Sequence, residues 1–170
     1  IAEKAATFIQ EGDTIFLDGG STILELAKRL PNLRNLTVVT NSLMAAAELM
    51  EKDYRLILVG GEFRSLSRTL VGPLTAKILE SLSISKAFLG TIGFEPERGI
   101  STTDTNEAYT KELVMKRADK VFLLADSSKL NISSFVFSGN IHDIDVLITD
   151  SGIAPAVLKQ LKNQYIEVIF

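Results

Sequence analysis

The chain contains no cysteine. That excludes a disulfide framework, a thiolate zinc site and a cysteine nucleophile, and it fits a reducing compartment. There is one histidine, His142, in a turn-like stretch beside Gly139 and Asn140, so no histidine cluster is available to hold a metal. Only 4 prolines occur, none grouped into a linker, and no repeat or low-complexity stretch is visible. No apolar run approaches the roughly 18 residues of a membrane span, and no basic-then-apolar leader opens the chain. An excess of positive charge is also missing. The 18 Lys and Arg stand against 21 Asp and Glu, a formal net charge of −3, which excludes the basic footprint of a self-sufficient nucleic-acid binder.

What is present is the composition of one globular domain spanning residues 1–170. Hydrophobic residues make up 46% and charged residues 23%, too apolar for disorder and long enough to bury a core. The first residue is Ile1 rather than Met, and Ile1, Ala5, Phe8 and Ile9 fall at once into a helical pattern. The chain is therefore expected to be part of a longer protein.

Apolar strand-like runs alternate with helical stretches. Strands are expected at Thr14–Leu17, Leu36–Val39, Arg55–Val59, Lys86–Leu89, Val121–Leu124, Ile144–Thr149 and Glu167–Phe170, with a short edge strand within Ser133–Ser138. Helices are expected over Ser21–Leu30, Ser42–Met50, Pro73–Leu82, Thr105–Ala118 and Pro155–Lys162. Thr22 and Glu25 have capping-box spacing at the start of the first of these. Gly60–Gly72 reads as a hairpin or an extended loop, and Thr91–Thr103 as a long irregular segment. Continuous Val, Ile and Leu strands between helices predict an α/β, Rossmann-like three-layer sandwich around a mainly parallel sheet.

Open α/β sheets bind ligands beyond the carboxyl ends of their strands. Small, polar and glycine residues recur at those ends: Asp18-Gly19-Gly20-Ser21-Thr22, Thr40-Asn41-Ser42, Gly60-Gly61-Glu62, Gly90-Thr91-Ile92-Gly93, Asp126-Ser127-Ser128-Lys129 and Asp150-Ser151-Gly152. Their repetition on one rim points to a polar ligand. In the first loop, glycines permit close backbone approach, a helix N-terminus offers free N–H groups, and Ser21 and Thr22 add hydroxyls. This suits a phosphate monoester, although a plain strand-to-helix turn capped by Thr22 would use the same residues. A phosphate-binding nucleotide loop needs Lys where Ser21 stands, and the dinucleotide fingerprint G-x-G-x-x-G occurs nowhere. Thr40-Asn41-Ser42 offers groups for a sugar hydroxyl or a phosphate, or merely a helix cap.

Asp104, Glu107 and Lys111 carry charge near the start of one predicted helix. If Asp104 is the cap, Glu107 lies at the third position and Lys111 one turn further, on the same face. They read either as a carboxylate–ammonium pair facing sugar hydroxyls or as a cap with a solvated ion pair. Lys129, three residues after Asp126, is a candidate phosphate or hydroxyl ligand; Arg64 and Arg68 could add positive charge. Each of the three is equally readable as a loop cation in water.

The ordered set of these features resembles the effector-sensing C-terminal domain of the DeoR/GlpR family of bacterial transcription regulators. Ile1-Ala2, Ala5-Ala6, Asp18–Thr22, Thr40-Asn41, Gly60-Gly61, Gly72, Ala87–Gly90, Gly93, Gly99–Ser101, Glu107, Lys111, Ala118 and Asp126–Lys129 carry the resemblance, which covers essentially the whole chain. Two glycines precede Ser21 where the family often has one. The resemblance implies a fold related to ribose-5-phosphate isomerase and the glucosamine-6-phosphate deaminases. It implies a cytoplasmic, homo-oligomeric repressor of sugar metabolism that binds a phosphorylated sugar without a cofactor. Operator DNA would be bound by a winged helix-turn-helix domain ahead of this chain. Carried onto this sequence, phosphate-binding positions fall on Gly19, Gly20, Ser21, Thr22, Thr40, Asn41 and Lys129. Sugar-facing positions fall on Asp18, Gly60, Gly90, Asp104, Glu107 and Lys111. An aldose–ketose isomerase would need the same residue types, with Asp104 or Glu107 as base and Lys111 as donor to the oxyanion. The whole-chain resemblance favours a sensor without turnover.

Overall fold

A computed structural model describes residues 1–170. Seven parallel strands form the central sheet: β1 (Thr14–Leu17), β2 (Thr37–Thr40), β3 (Arg55–Leu58), β6 (Ile84–Leu89), β9 (Ala118–Leu124), β11 (Val146–Ile148) and β12 (Glu167–Ile169). Their spatial order is β12-β11-β9-β6-β1-β2-β3. Six helices complete the layers: α1 (Ala2–Ala6), α2 (Ser21–Lys28), α3 (Leu43–Leu49), α4 (Pro73–Leu79), α5 (Thr105–Arg117) and α6 (Pro155–Asn163).

The continuous apolar strands follow from burial on both faces. Successive side chains alternate across a strand. Ile15, Leu17, Val38, Phe88, Phe122 and Leu124 point to one side, where they pack with Ala5, Ile23, Leu26, Ala45 and Leu49 of α1–α3. Phe16, Val39, Ala87, Leu89, Val121 and Leu123 point to the other, against Ala76 and Leu79, Val114, and Val157 and Leu161 of α4–α6. The three-layer parallel architecture expected from the sequence is therefore the one found.

Two smaller sheets depart from it. Gly60–Gly72 contains an antiparallel hairpin, β4 (Glu62–Arg64) with β5 (Thr69–Val71). The segment read as irregular, Thr91–Thr103, is also a hairpin: β7 (Gly93–Glu95) pairs with β8 (Gly99–Thr102). The predicted edge strand, β10 (Val136–Ser138), adds to β8 in this three-stranded sheet and not to the main one. Phe94 and Ile100 from this sheet are buried in the second core.

The chain runs from β1 outward to β3, then returns to place β6 on the other side of β1. The winding direction reverses between β1 and β6. In open α/β sheets the crevice at such a reversal is where ligands bind.

Candidate functional site

A cavity of about 540 Å³ opens at that reversal. Its floor is the carboxyl ends of β1 and β6, Asp18 and Gly90. The start of α2 forms one side, the β4–β5 hairpin another, and α5 contributes Glu107 and Lys111. The loop after β9 adds Asp126 and Lys129. The structure thus brings Asp18, Gly19, Gly20, Ser21, Thr22, Gly90, Glu107, Lys111 and Lys129 around one space.

Four other sequence candidates stand outside it. Thr40 is buried, its hydroxyl donating to Leu17 O at 2.7 Å and accepting from Ser42 N–H at 3.0 Å. Asn41 turns its amide to Leu70 O at 3.2 Å and so ties β2 to the hairpin. Gly60 lies at the end of β3, two strands from β1, where its carbonyl accepts from the Thr75 hydroxyl at 2.7 Å. Asp104 is the cap of α5, accepting from Asn106 N–H at 2.9 Å and Glu107 N–H at 3.0 Å. These bonds serve the fold and none of the four residues lines the cavity, although the buried Asn41 Oδ1 is left without a partner. Ser42, next to Thr40 and Asn41, does line the cavity.

The start of α2 is open. Gly20 is its cap at φ 115°, and no side chain caps it. Thr22 therefore lies inside the first turn, and the expected Thr22–Glu25 capping box does not form. Glu25 instead pairs with Lys28 and Arg29. The first α2 N–H with a helical partner is that of Leu24, bonded to Gly20 O at 3.0 Å. The N–H groups of Ser21, Thr22 and Ile23 are left unpartnered at a helix end that carries partial positive charge. Gly19 is required by crowding: a Cβ there would stand 2.3 Å from Cγ2 of the buried Thr69.

Asp18 and Lys111 form a buried ion pair, 4% and 9% exposed. The Lys111 ammonium also donates to Gly90 O at 2.9 Å, and Gly90 N–H donates to Asp18 Oδ2 at 3.2 Å. Helical spacing had suggested a Glu107–Lys111 pair; Lys111 is taken by Asp18, from 93 positions earlier in the chain. Glu107, 8% exposed, accepts the Thr102 hydroxyl at 2.7 Å and the Thr69 hydroxyl at 3.4 Å. The Arg64 guanidinium lies 3.6 Å from Glu107 and 3.5 Å from Asp104, and donates to the Thr103 hydroxyl at 3.1 Å. It thereby fastens the β4–β5 hairpin across the cavity to the start of α5.

Thr69 and Thr102 were not singled out from the sequence, and Arg64 was only a generic cation there. They reach the site because the hairpins fold back over the sheet, which no local pattern announces. Lys129 and Arg68 make no ion pair; Arg68 sits at the rim with its guanidinium 3.5 Å from Met44 Sδ. The Lys129 loop is braced from beneath. Asp150 accepts Ser127 N–H at 2.8 Å and Gly152 N–H at 2.7 Å, and these bonds hold its carboxyl below the usual carboxylate range. No group of His, Asp and Glu side chains has metal-binding geometry, and no helix is long and apolar enough to cross a membrane.

Comparison with known proteins bears on this arrangement. The family described as the DeoR C terminal sensor domain matches residues 1–151. The HTH-type transcriptional regulator YulB of Bacillus subtilis is 38% identical over 169 residues, 99% of this chain and 65% of that protein. The HTH-type transcriptional regulator GlpR of Haloferax volcanii is 36% identical over 169 residues, 99% of this chain and 66% of that protein. The lactose phosphotransferase system repressor of Streptococcus mutans is 37% identical over 153 residues, 88% of this chain and 60% of that protein. The chain thus spans just under two thirds of the length of these relatives. Among solved structures, ribose 5-phosphate isomerase A of Methanocaldococcus jannaschii aligns with a TM-score of 0.55 at 20% identity, over 76% of this chain and 51% of that one. The eIF2B delta subunit of Chaetomium thermophilum aligns with a TM-score of 0.61 at 17% identity, over 86% of this chain and 52% of that one. At these identities the likeness establishes a shared fold.

Proposed function

Since the chain belongs to the DeoR C-terminal sensor domain family, we propose that its cavity is the effector site of a sugar-responsive transcriptional repressor and that the effector is a phosphorylated sugar. The relatives are named as transcriptional regulators, which makes this domain a sensor and not an enzyme. The observation that carries the reading is the uncapped start of α2 opening onto a cavity with buried polar groups on its opposite wall. Unpartnered N–H groups beside two hydroxyls suit a phosphate dianion, and Lys129, which lines the cavity, adds a positive charge. Asp18, Lys111, Gly90 and Glu107 present fixed donors and acceptors to sugar hydroxyls.

In this reading the longer protein binds operator DNA through a helix-turn-helix domain ahead of Ile1, works in the cytoplasm as a homo-oligomer, and needs no cofactor. Ligand acts by differential affinity for two arrangements of the protein, since equal affinity would shift nothing. The route begins at α2, which the Arg29–Glu3 ion pair at 3.6 Å ties to α1.

The test is the double variant Ser21→Ala, Thr22→Ala. Calorimetric affinity for the sugar phosphates that bind the wild type is expected to fall about tenfold, at roughly 0.5–1.5 kcal/mol per lost hydrogen bond. The melting temperature without ligand stays within a few degrees. Unchanged affinity would move the phosphate elsewhere in the cavity.

A further inference from the structure

We propose that this cavity selects against a second anionic group: its ligand carries one phosphate and is otherwise neutral. The inference rests on the phosphate-at-α2 reading and concerns the opposite wall.

Three helices start around the cavity, and they differ. The start of α3 is capped by Ser42, whose hydroxyl accepts from Ala45 N–H, while Leu43 N–H donates to Arg68 O. The N-terminus of α2 has no side-chain cap. The N-terminus of α5 is closed by the Asp104 carboxylate, which accepts from the Asn106 and Glu107 N–H groups. The partial positive charge of α5 is thus already answered by a carboxylate, whereas α2 presents an uncapped run of three N–H groups to an anion.

The charges on that wall point the same way. Asp18 and Glu107 on the wall, with Asp104 behind Arg64 and outside the cavity, are paired with Lys111 and Arg64, so these three carboxylates meet two cations and one negative charge is left over. Both cations are committed. Lys111 is bound to Asp18 and Gly90 O, while Arg64 bridges Asp104, Glu107 and the Thr103 hydroxyl. The remaining rim cations lie outside this wall: Lys129 on the loop after β9 and Arg68 turned toward Met44. A hydroxyl can donate to Asp18 or Glu107 and loses nothing there. A second phosphate or a carboxylate would be pressed against the buried carboxylates of Asp18 and Glu107.

The experiment is isothermal calorimetry on paired ligands: glucose 6-phosphate against 6-phosphogluconate, and fructose 6-phosphate against fructose 1,6-bisphosphate. It is run on the wild type, on Glu107→Gln and on Asp104→Asn. Asn is as good a helix cap as Asp, so the second variant removes charge while keeping the start of α5. The expected result is that the doubly anionic member of a pair binds at least about tenfold more weakly than its singly phosphorylated partner, and that either variant narrows this ratio. Equal or tighter binding of the doubly anionic member by the wild type would overturn the inference while leaving the phosphate site intact. A ratio unchanged in both variants would also overturn it, because the carboxylates would then not be its cause. Binding of no phosphorylated compound at all would remove the effector reading and this inference with it.

Discussion

Lys111→Met is expected to cost about 3–5 kcal/mol of folding stability, the scale for removing one partner of a buried ion pair. Lys111 and Asp18 are both more than nine-tenths buried, and Asp18 is otherwise held only by the Gly90 N–H. Met fills a similar volume, so packing is largely kept while the carboxylate loses its counter-charge. For a domain of this size, 1 kcal/mol corresponds to roughly 2–4 °C, so the melting temperature should drop by about 10 °C. Adding Asp18→Asn should recover most of the loss, since Asn still accepts from Gly90 N–H without a charge to bury. Denaturant midpoints of the two single variants and the double variant give the coupling directly. A loss under 1 kcal/mol would mean the pair behaves as a solvated surface contact.

Thr22→Asp should separate folding from binding in opposite directions. A carboxylate in the first turn of α2 is favourable to the helix dipole, by about 0.3–1 kcal/mol, so the protein without ligand should melt no lower than wild type. The same carboxylate stands beside the N–H groups proposed to hold phosphate. Two like charges about 4 Å apart at an effective dielectric of about 20 repel by roughly 4 kcal/mol, and screening lowers this. Affinity for a sugar phosphate should therefore fall at least about a hundredfold, whereas Thr22→Asn should stay within about tenfold of wild type. Calorimetry on the three proteins checks this. Wild-type affinity in the Asp variant would exclude α2 as the phosphate site.

The parallel sheet was legible because its strands carry continuous apolar runs, as in Ile15–Leu17 and Val121–Leu124, and both faces are covered. The β7–β8 hairpin was not, since Gly93, Pro96 and Gly99 read locally as a loop. Its third strand comes from Val136–Ser138, a pairing that no short window contains. The α2 loop was found from its glycines, but its cap was misplaced by two residues. Gly20, at φ 115°, takes the position that capping preference gave to Thr22.

Partnerships in the cavity were the least legible feature. The spacing of Glu107 and Lys111 fits a mutual pair, yet Glu107 goes to Thr102 and Thr69, and Lys111 to Asp18. Side chains four apart on a helix gain only a few tenths of a kcal/mol from each other, so long-range packing decides. Long-range packing likewise sets the positions of Thr40 and Asn41. The Ser42–Thr69 bridge and the bond from Leu70 N–H to Asn41 O hold that turn against the hairpin, so that Ser42 lines the cavity while Thr40 and Asn41 do not.

The central claim is that the cavity binds phosphorylated sugars through their phosphate. Thermal unfolding with each sugar phosphate beside its unphosphorylated parent tests it most directly. A ligand at about 100 times its dissociation constant adds roughly 2.7 kcal/mol, a rise of about 5–10 °C at this size. The predicted result is a rise of that order with one or a few sugar phosphates and none with their parent sugars. Equal stabilisation by parent and phosphate, or no shift with any of them, would contradict the claim.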